Sequence, residues 1–417
     1  MSTATAPKAP KLDPAKLREQ DFTQLKYFDR LAPLLERLHG VGCERDRAGN
    51  RKLHFDQYCM LILLYLFNPV VKSLRGLQQA SEIPAIRKRL GCKRTSLGSL
   101  SESVTVFDPE RLKEIIAELG AELTPVGRDA RLRDIPLVTT LVDGTLLTVL
   151  PHLAKASFAN PASNSDGKVR WRLHAHFEVD RFVPTRIDVT PNGGGEHDER
   201  SVLDRVVEPD RLYVMDRGYV KYALFDRIVE AKSSYVCRIR DDSVTRVLEE
   251  RTLTEEAKAE RVTGDRVVSL GADAAVGHKV RLITIAAKPH KKTKGANGPP
   301  CDGVIRIATN LLDVPAEVIA LLYHYRWTIE IFFRFFKQIL GCRHLLSTSQ
   351  NGIEIQAYCA IIACLLVNLW TGRKPTRRTH EMLCWYFLGI ADLADLTAHL
   401  DKLKRRDEEL KKRAASR

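Results

Sequence analysis

A change of hydrophobic period near residue 135 constrains the fold more than any other feature of this chain. Ahead of it, apolar residues recur at helical spacing through Phe28, Leu31, Leu34, Leu35 and Leu38, which predicts a helical N-terminal domain. Beyond it, LVTTLVDGTLLTVL (137–150), WRLHAHFEVD (171–180) and FVPTRIDVTP (182–191) are β-branched or alternating runs parted by Gly, Asn, Pro and Asp. They read as three consecutive strands. The polar loop NGGGEHDER, a short helix, a strand at RLYVMD, a helix over 220–231 and a strand at SYVCRIR follow. The resulting β-β-β-α-β-α-β order places the chain in the α/β class, with a mixed sheet flanked by helices. Two further strand-like runs, HKVRLITIAA and GVIRIATNL, flank the loop KPHKKTKGANGPP, and helical pattern resumes at Val314. Residues 241–311 are therefore read as a β-rich insertion into the α/β domain.

Composition narrows the function classes. The 66 Lys and Arg against 52 Asp and Glu leave 66 − 52 = +14, so a polyanionic partner is the first expectation and a basic but ordinary enzyme the alternative. A hydrophobic share of 44% with 28% charged residues excludes a mainly disordered chain and is too polar for a multi-span membrane protein. The nine Cys are widely spread, at 43, 59, 92, 237, 301, 342, 359, 364 and 384, with no CxxC pair, unlike a secreted disulfide framework. Cys359 and Cys364 lie inside the apolar run AYCAIIACLLVNLW, where small buried thiols are favoured over zinc ligands. The first residues, MSTATAPKAPKLDPAKLREQ, lack a hydrophobic signal region and read as a disordered arm, so a cytoplasmic protein is expected. The two strongest apolar runs, 58–67 and 357–370, are 10 and 14 residues long, short of the roughly 18 to 20 that span a bilayer, so buried helices and no membrane partner are expected.

Within the N-terminal region the pattern shortens into SLRGLQQASEI, PAIRKRLG and a third segment after CKRTS, with Pro84 opening one element and Gly91 closing it. That is compatible with a small helical DNA-reading unit. Arg87, Lys88, Arg89, Lys93 and Arg94 supply phosphate-seeking charge, and Ser99 with Glu102 is placed for a capping box. Short basic helices also occur on surfaces that bind nothing. The next helix is expected to start with Asp108 as N-cap and Pro109 at its first position, and to run to Gly120.

The densest constellation is EVIALLYHYRWTIEIFFRFFKQIL, residues 317–340. On one continuous helix, Tyr323, Arg326, Glu330 and Lys337 fall within an arc of roughly 60°, opposite Leu322, Ile329, Phe332, Phe336, Ile339 and Leu340. One face packs, and the other presents an acid between two bases and a phenol. The plain alternative is a solvated face carrying an Arg326–Glu330 pair. Two more carboxylates stand at strand ends, Asp143 in LVDGT and Asp216 after LYVM; Asp also favours turns for its own sake. Three carboxylates from two strands and a helix are what a two-magnesium centre requires, since hard oxygen ligands leave positions open for water and phosphate oxygens.

The spacing Tyr323, two residues, Arg326, three residues, Glu330, six residues, Lys337 resembles the Y-R-E-K signature of the insertion-sequence-four group of bacterial DDE transposases. LVDGT and MDRGY are similar to the segments that carry that family's two catalytic Asp, here Asp143 and Asp216, and Trp327 and IRIATNLLD also resemble members. The likeness covers about residues 135–375. It implies an RNase H-like catalytic core interrupted by a β insertion, for which the 330 − 216 = 114 residues between the last two carboxylates leave room. It implies that Asp143, Asp216 and Glu330 bind two divalent ions, normally Mg2+ with Mn2+ as substitute, for in-line attack on DNA phosphodiesters. Water frees a transposon 3′-hydroxyl, which then attacks target DNA. Arg326 and Lys337 would hold phosphates, Tyr323 would donate to one, and Trp327 would stack on a displaced base or pack beside the site. The implied partners are double-stranded DNA, as terminal inverted repeats and target, and a second copy in a synaptic homodimer; the implied place is the nucleoid.

The expected domains are an arm over 1–20, a helical N-terminal DNA-binding domain over 21–130, the core over 131–240 and 312–375, the insertion over 241–311 and a C-terminal helical region over 376–417. Lys288, His290, Lys291, Lys292 and Lys294 of the insertion loop are set to contact DNA backbone or to stay solvated. Arg170, Trp171 and Arg172 make a weaker case of the same kind. His174 and His176 share one face of a strand and read as ordinary sheet residues rather than metal ligands. His197 and Asp198 follow a triple-Gly loop and are candidates for orienting DNA or the core. The last segment is a charged helix in which Glu408 and Glu409 can pair with Lys412 and Arg413. The competing readings are a metal-dependent nuclease without strand transfer, a DNA-binding descendant without catalysis, and a ribonuclease with a related core.

Overall fold

A computed structural model of the chain describes residues 31–42, 50–123, 129–148, 170–272, 275–287, 303–340 and 345–415. The N-terminal arm, Phe28, and Lys288 with His290, Lys291, Lys292 and Lys294 lie outside the described residues, as do Cys43, Cys301, Cys342 and the side chains of Arg89, Arg170 and Arg413. The chain divides into two compact units, Met1–Thr124 with Tyr358–Arg417, and Pro125–Ala357.

The first unit is helical. Its centre is Phe55–Phe67, in which eleven of the thirteen residues are buried; a helix apolar all round needs protein on every side. Phe55 stacks on Phe107 with ring centroids 4.6 Å apart. Ser73 caps Leu74–Glu82 by accepting from Gly76 N–H at 3.1 Å. Pro84–Leu90 begins at proline and ends at Gly91 in the left-handed region, φ 61°, where a residue without Cβ is favoured. Leu97–Val106 starts earlier than its sequence suggests: extended Ser96, not Ser99, is the N-cap, and its hydroxyl accepts from Ser99 N–H at 3.1 Å. Asp108 likewise lies ahead of its helix, Arg111–Glu122. Its carboxylate accepts from Glu110 N–H at 3.0 Å, which makes the Asp-Pro-Glu segment a turn rather than a cap.

The helix Gln350–Thr371 is 22 residues long, with a mean hydropathy of 1.8 over its apolar window. It is therefore long and apolar enough to cross a bilayer, contrary to the count of 14. Residues 350–356 and Thr371 extend it beyond the apolar run of 357–370, and 94% of the window is buried inside the protein. The six described cysteines, 59, 92, 237, 359, 364 and 384, are buried and free.

The second unit is built on one mixed nine-stranded sheet in the order β3-β2-β1-β4-β5-β9-β8-β7-β6. The strands are β1 Val138–Thr148, β2 Arg170–Glu178, β3 Val183–Pro191, β4 Arg211–Met215, β5 Ser234–Arg238, β6 Thr245–Glu250, β7 Val262–Leu270, β8 Val280–Ala286 and β9 Val304–Thr309. The β-β-β-α-β-α-β succession is as expected, with helices Glu199–Arg205 and Tyr222–Glu230 between the later strands. β1, β2 and β3 form an antiparallel meander, whereas β4 is parallel to β1 and β5 to β4. β9 then pairs antiparallel with β5, so the strands of 241–311 continue the same sheet. Tyr213, Met215, Phe225, Tyr235, Leu282 and Ala308 share one core.

β6 and β7 had no clear signature in the sequence. Every residue of β6 is exposed, so it has no apolar face to alternate. β7 is interrupted by Gly264 and Asp265, and the buried Asp265 pairs with Arg281 at 2.7 Å. The expected single helix over 317–340 is two, Ala316–Tyr325 and Trp327–Leu340. At Arg326 the backbone N–H reaches Tyr323 C=O at 3.1 Å, and Ile329 N–H reaches Arg326 C=O at 3.2 Å. That tighter i−3 bonding breaks the i−4 ladder for one turn.

Candidate active site

Parallel pairing sets the first two carboxylates together. Leu141 of β1 is registered with Val214 of β4, so Asp143 and Asp216, each two residues further along, come level on neighbouring chain segments and on the same side of the pleat. Asp143 accepts from Gly144 N–H at 2.8 Å, and Asp216 accepts from Gly218 N–H at 2.7 Å. Burial raises the Asp143 carboxyl to about 7, opposed by the Gly144 N–H and assisted by the charge of Asp216; Arg326 opposes the rise and Glu199 adds to it.

The helix Trp327–Leu340 packs on β1. Ile329, Phe332 and Phe336 are buried as expected, and Phe332 meets Phe177 of β2 at 5.0 Å. The side chains of Ile339 and Leu340 lie outside the described residues. Glu330 is carried on the opposite face and accepts from Arg326 Nη2 at 2.7 Å, while Arg326 Nη1 stands 3.7 Å from Asp143 Oδ2. Arg326 thus bridges the two carboxylates. Its guanidinium also lies over the Tyr323 ring at 5.9 Å; burial pushes the Tyr323 phenol up, against the pull of Arg326. Lys337 is half-buried further along the helix and forms no ion pair with a described residue. Trp327 is 52% exposed. It edges a cavity of about 720 Å³ whose lining includes Arg131, Arg261, Tyr323, His324 and Arg326.

Glu199 joins this group, and it was not singled out in the sequence. Asp198 caps the helix Glu199–Arg205 by accepting from Arg200 N–H at 3.0 Å, which places Glu199 at the first helical position. There it accepts from Arg172 Nη1 at 2.7 Å, and Arg172 Nη2 reaches Asn192 Oδ1 at 3.1 Å. Burial raises the Glu199 carboxyl, Arg172 opposes the shift, and Asp216 adds to it. A charged loop sequence such as NGGGEHDER resembles solvated surface, so the one local signal was the capping Asp198. His197 stays partly exposed, 3.7 Å from Glu196.

Other expected residues fall elsewhere. His174 and His176 are buried in β2, His174 bonded to Thr190 Oγ1 at 2.9 Å. Burial holds them down to about 4 and about 3, which keeps both rings neutral. Trp171 is buried. Arg87, Lys88, Lys93 and Arg94 belong to the helical unit; Lys88, Lys93 and Arg94 are exposed, and Arg94 pairs with Glu82 at 3.0 Å. In the last helix, Leu393–Ala415, Asp407 pairs with Arg373, which follows the helix Gln350–Thr371, while Glu408 and Glu409 are exposed.

Among the described residues, no three His, Cys, Asp or Glu side chains stand close enough together to share a metal ion. The chemistry of the donor set nevertheless fits one. Asp143, Asp216, Glu199 and Glu330 are four carboxyl groups set against two guanidiniums, Arg172 and Arg326, which leaves 4 − 2 = 2 carboxyl groups in excess. A hard divalent cation would offset that excess.

Residues 136–366 match the family model described as "Transposase DDE domain". Transposase y4zB of Sinorhizobium fredii (strain NBRC 101917 / NGR234) is 28% identical over 211 residues, 50% of this chain and 55% of the relative. A transposase for insertion sequence element IS5377 of Geobacillus stearothermophilus is 29% identical over 213 residues, 51% of this chain and 52% of the relative. The chain thus spans about half the length of these curated relatives. A piggyBac transposase chain from a cryo-EM synaptic complex with hairpin DNA aligns over 90% of this chain and 84% of its own, at 13% identity and a TM-score of 0.37. That likeness is too loose to argue from.

Proposed function

Because this chain belongs to the DDE transposase family, we propose that it is the DNA transposase of an insertion sequence, which cleaves transposon ends and joins them to target DNA. The observation that carries the reading is the level placement of Asp143 and Asp216 on parallel neighbours, with Glu330 tied to Asp143 through Arg326. The meander β3-β2-β1 continued by parallel β4 and β5 supports an RNase H-like core.

Asp143, Asp216 and Glu330 would hold Mg2+, or Mn2+ in its place, and two such ions when bound would activate the attacking oxygen and stabilise the leaving one. Arg326 bridges Asp143 and Glu330 until a scissile phosphate arrives, and then has a phosphate oxygen as a further acceptor for its fork of donors. Tyr323, whose phenol stays protonated, donates to a phosphate oxygen, and half-buried Lys337 supplies a further positive charge. Trp327, exposed at the rim of a cavity that Arg131, Arg261 and Arg326 line together with Glu260 and apolar side chains, offers its ring to an unstacked base. Lys88, Lys93 and Arg94 in the helical unit, with Arg87 beside them, serve DNA backbone contact. Lys291 and Lys292 serve the same purpose in the insertion loop. A homodimer would bring two transposon ends together.

The test uses the full chain and DNA carrying the inverted repeats that flank its gene. Mg2+-dependent release of a 3′-hydroxyl and products joined to a target are expected. Asp216→Asn and Glu330→Gln are expected to bind the ends and cleave nothing. Cleavage at the wild-type rate by either variant removes that residue from the site, and cleavage without joined products makes the protein a nuclease.

A further inference from the structure

We propose that Glu199 is a fourth cation-holding carboxylate of this centre, positioned by Arg172 and admitted by the missing side chain of Gly144. The proposal rests on the reading of the site as a divalent-cation centre. Neither the signature spacing nor the strand-end motifs include Glu199, which reaches the site from a different element, the start of helix Glu199–Arg205.

Two glycines shape the space around it. A Cβ on Gly144, next to Asp143 in β1, would lie 2.3 Å from Glu199 Oε1 and 3.0 Å from its carboxyl carbon. Only a residue without a side chain lets that carboxylate lie against the strand. A Cβ on Gly218 would lie 2.9 Å from Asp216 Oδ1 and 3.7 Å from Glu199 Oε2. Oε2 of Glu199 and Oδ1 of Asp216 therefore border one small space over Gly218, while Oε1 is held by Arg172 at 2.7 Å.

Tyr219 is the independent observation. It is 1% exposed, and its hydroxyl has no hydrogen-bond partner among the described residues. The charges that act on that hydroxyl, after burial, are those of Glu199, Asp143 and Asp216, with Arg172 opposing them. Buried hydroxyls are almost always bonded, so an unpartnered phenol within reach of three carboxylate charges marks a polar site that a hydrated cation would complete. A purely structural Arg172–Glu199 pair would leave both the orphaned phenol and the cradle at Gly144 without a purpose. Carboxylates from β1, the end of β4 and a helix N-terminus offer the hard oxygens a divalent ion selects.

The test titrates Mn2+ into the full chain without DNA and reads free Mn2+ by electron paramagnetic resonance. Glu199→Gln keeps the shape and an acceptor for Arg172, and it is expected to weaken Mn2+ binding by about tenfold or more with an unchanged circular dichroism spectrum. Glu199→Asp, which withdraws the charge by one methylene, is expected to fall between. Wild-type affinity in Glu199→Gln, while Asp143→Asn loses binding, overturns this proposal and leaves the cation centre standing. No Mn2+ binding by the wild type, or wild-type binding by Asp143→Asn, overturns the cation reading itself. If Glu199→Gln fails to fold, Tyr219→Phe carries the test. A loss of about tenfold supports the proposal, and unchanged affinity overturns it.

Discussion

Arg281 and Arg326 lie in the same unit, and each faces carboxylates, but one pair is complete and the other is not. Arg281 grips Asp265 with two bonds, at 2.8 and 2.7 Å, and donates to the carbonyls of Leu311, Leu312 and Val314. Its side chain is 5% exposed and that of Asp265 is 6% exposed. Each cost of burial there is met from within the chain, so the pair joins β7 and β8 to the segment after β9. Arg326 is shared between Glu330 at 2.7 Å and Asp143 at 3.7 Å, with Asp216 and Glu199 close by. That group has more acceptors than donors. Closed pairs hold a fold, whereas a carboxylate excess that the chain leaves open is what the proposed cation would offset.

The comparison breaks most sharply at Asp143. Asp143→Asn is expected to lower DNA cleavage by about 10³-fold or more, as loss of an essential site group does, while urea melts show an intact fold. A fall of less than tenfold would mean that the open cluster is not the reacting one. Arg281→Met should do the reverse. It strands the buried Asp265 charge and costs about 3 to 5 kcal/mol of stability, measurable by urea unfolding. Adding Asp265→Leu should recover most of that loss; no recovery would show that the carbonyl contacts, not the ion pair, hold the segment.

The pH dependence of the metal-free protein sharpens the contrast. The folded chain holds the Asp143 proton up to about pH 7, whereas an unfolded carboxyl loses it near pH 4. Between those values the folded state binds the extra proton, so stability falls as pH rises through the window, by on the order of 4 kcal/mol. Thermal melts from pH 4 to 8 should show that slope, and Asp143→Asn should flatten it. Retention of the full slope in the variant would place its origin in another group.

Arg94→Ala is the smallest expected change. Its partner is Glu82, and the two side chains are 71% and 43% exposed, so stability should move by less than about 0.5 kcal/mol. If Arg94 meets a phosphate, the salt slope of DNA binding should drop by about one. An unchanged slope leaves Arg94 as a solvated pair.

Much of this was legible from residue order. The runs around Val138, Trp171, Val183 and Leu212 announced their strands, because alternation is written into neighbouring residues. The packed face of Ile329, Phe332 and Phe336 was legible for the same reason. β6 was hidden because an all-exposed strand has no alternation. The break at Arg326 was hidden because apolar spacing continues through it. Glu199 was hidden because its environment is made by Gly144, Arg172 and Gly218, none of them its chain neighbours.

The sequence by itself determined most of the strands and helices, though not β6, β7 or the break at Arg326, which helix face packs, and that carboxylates stand at two strand ends and on one helix. The tertiary structure alone decided that β1 and β4 are parallel neighbours with Leu141 beside Val214, which brings Asp143 and Asp216 level on neighbouring segments. It also decided that β9 joins β5 and extends a single sheet. The physical reason is that periodicity is local, whereas backbone hydrogen bonds carry no side-chain identity. Which strands pair, and in which register, is settled only when distant apolar faces are buried together.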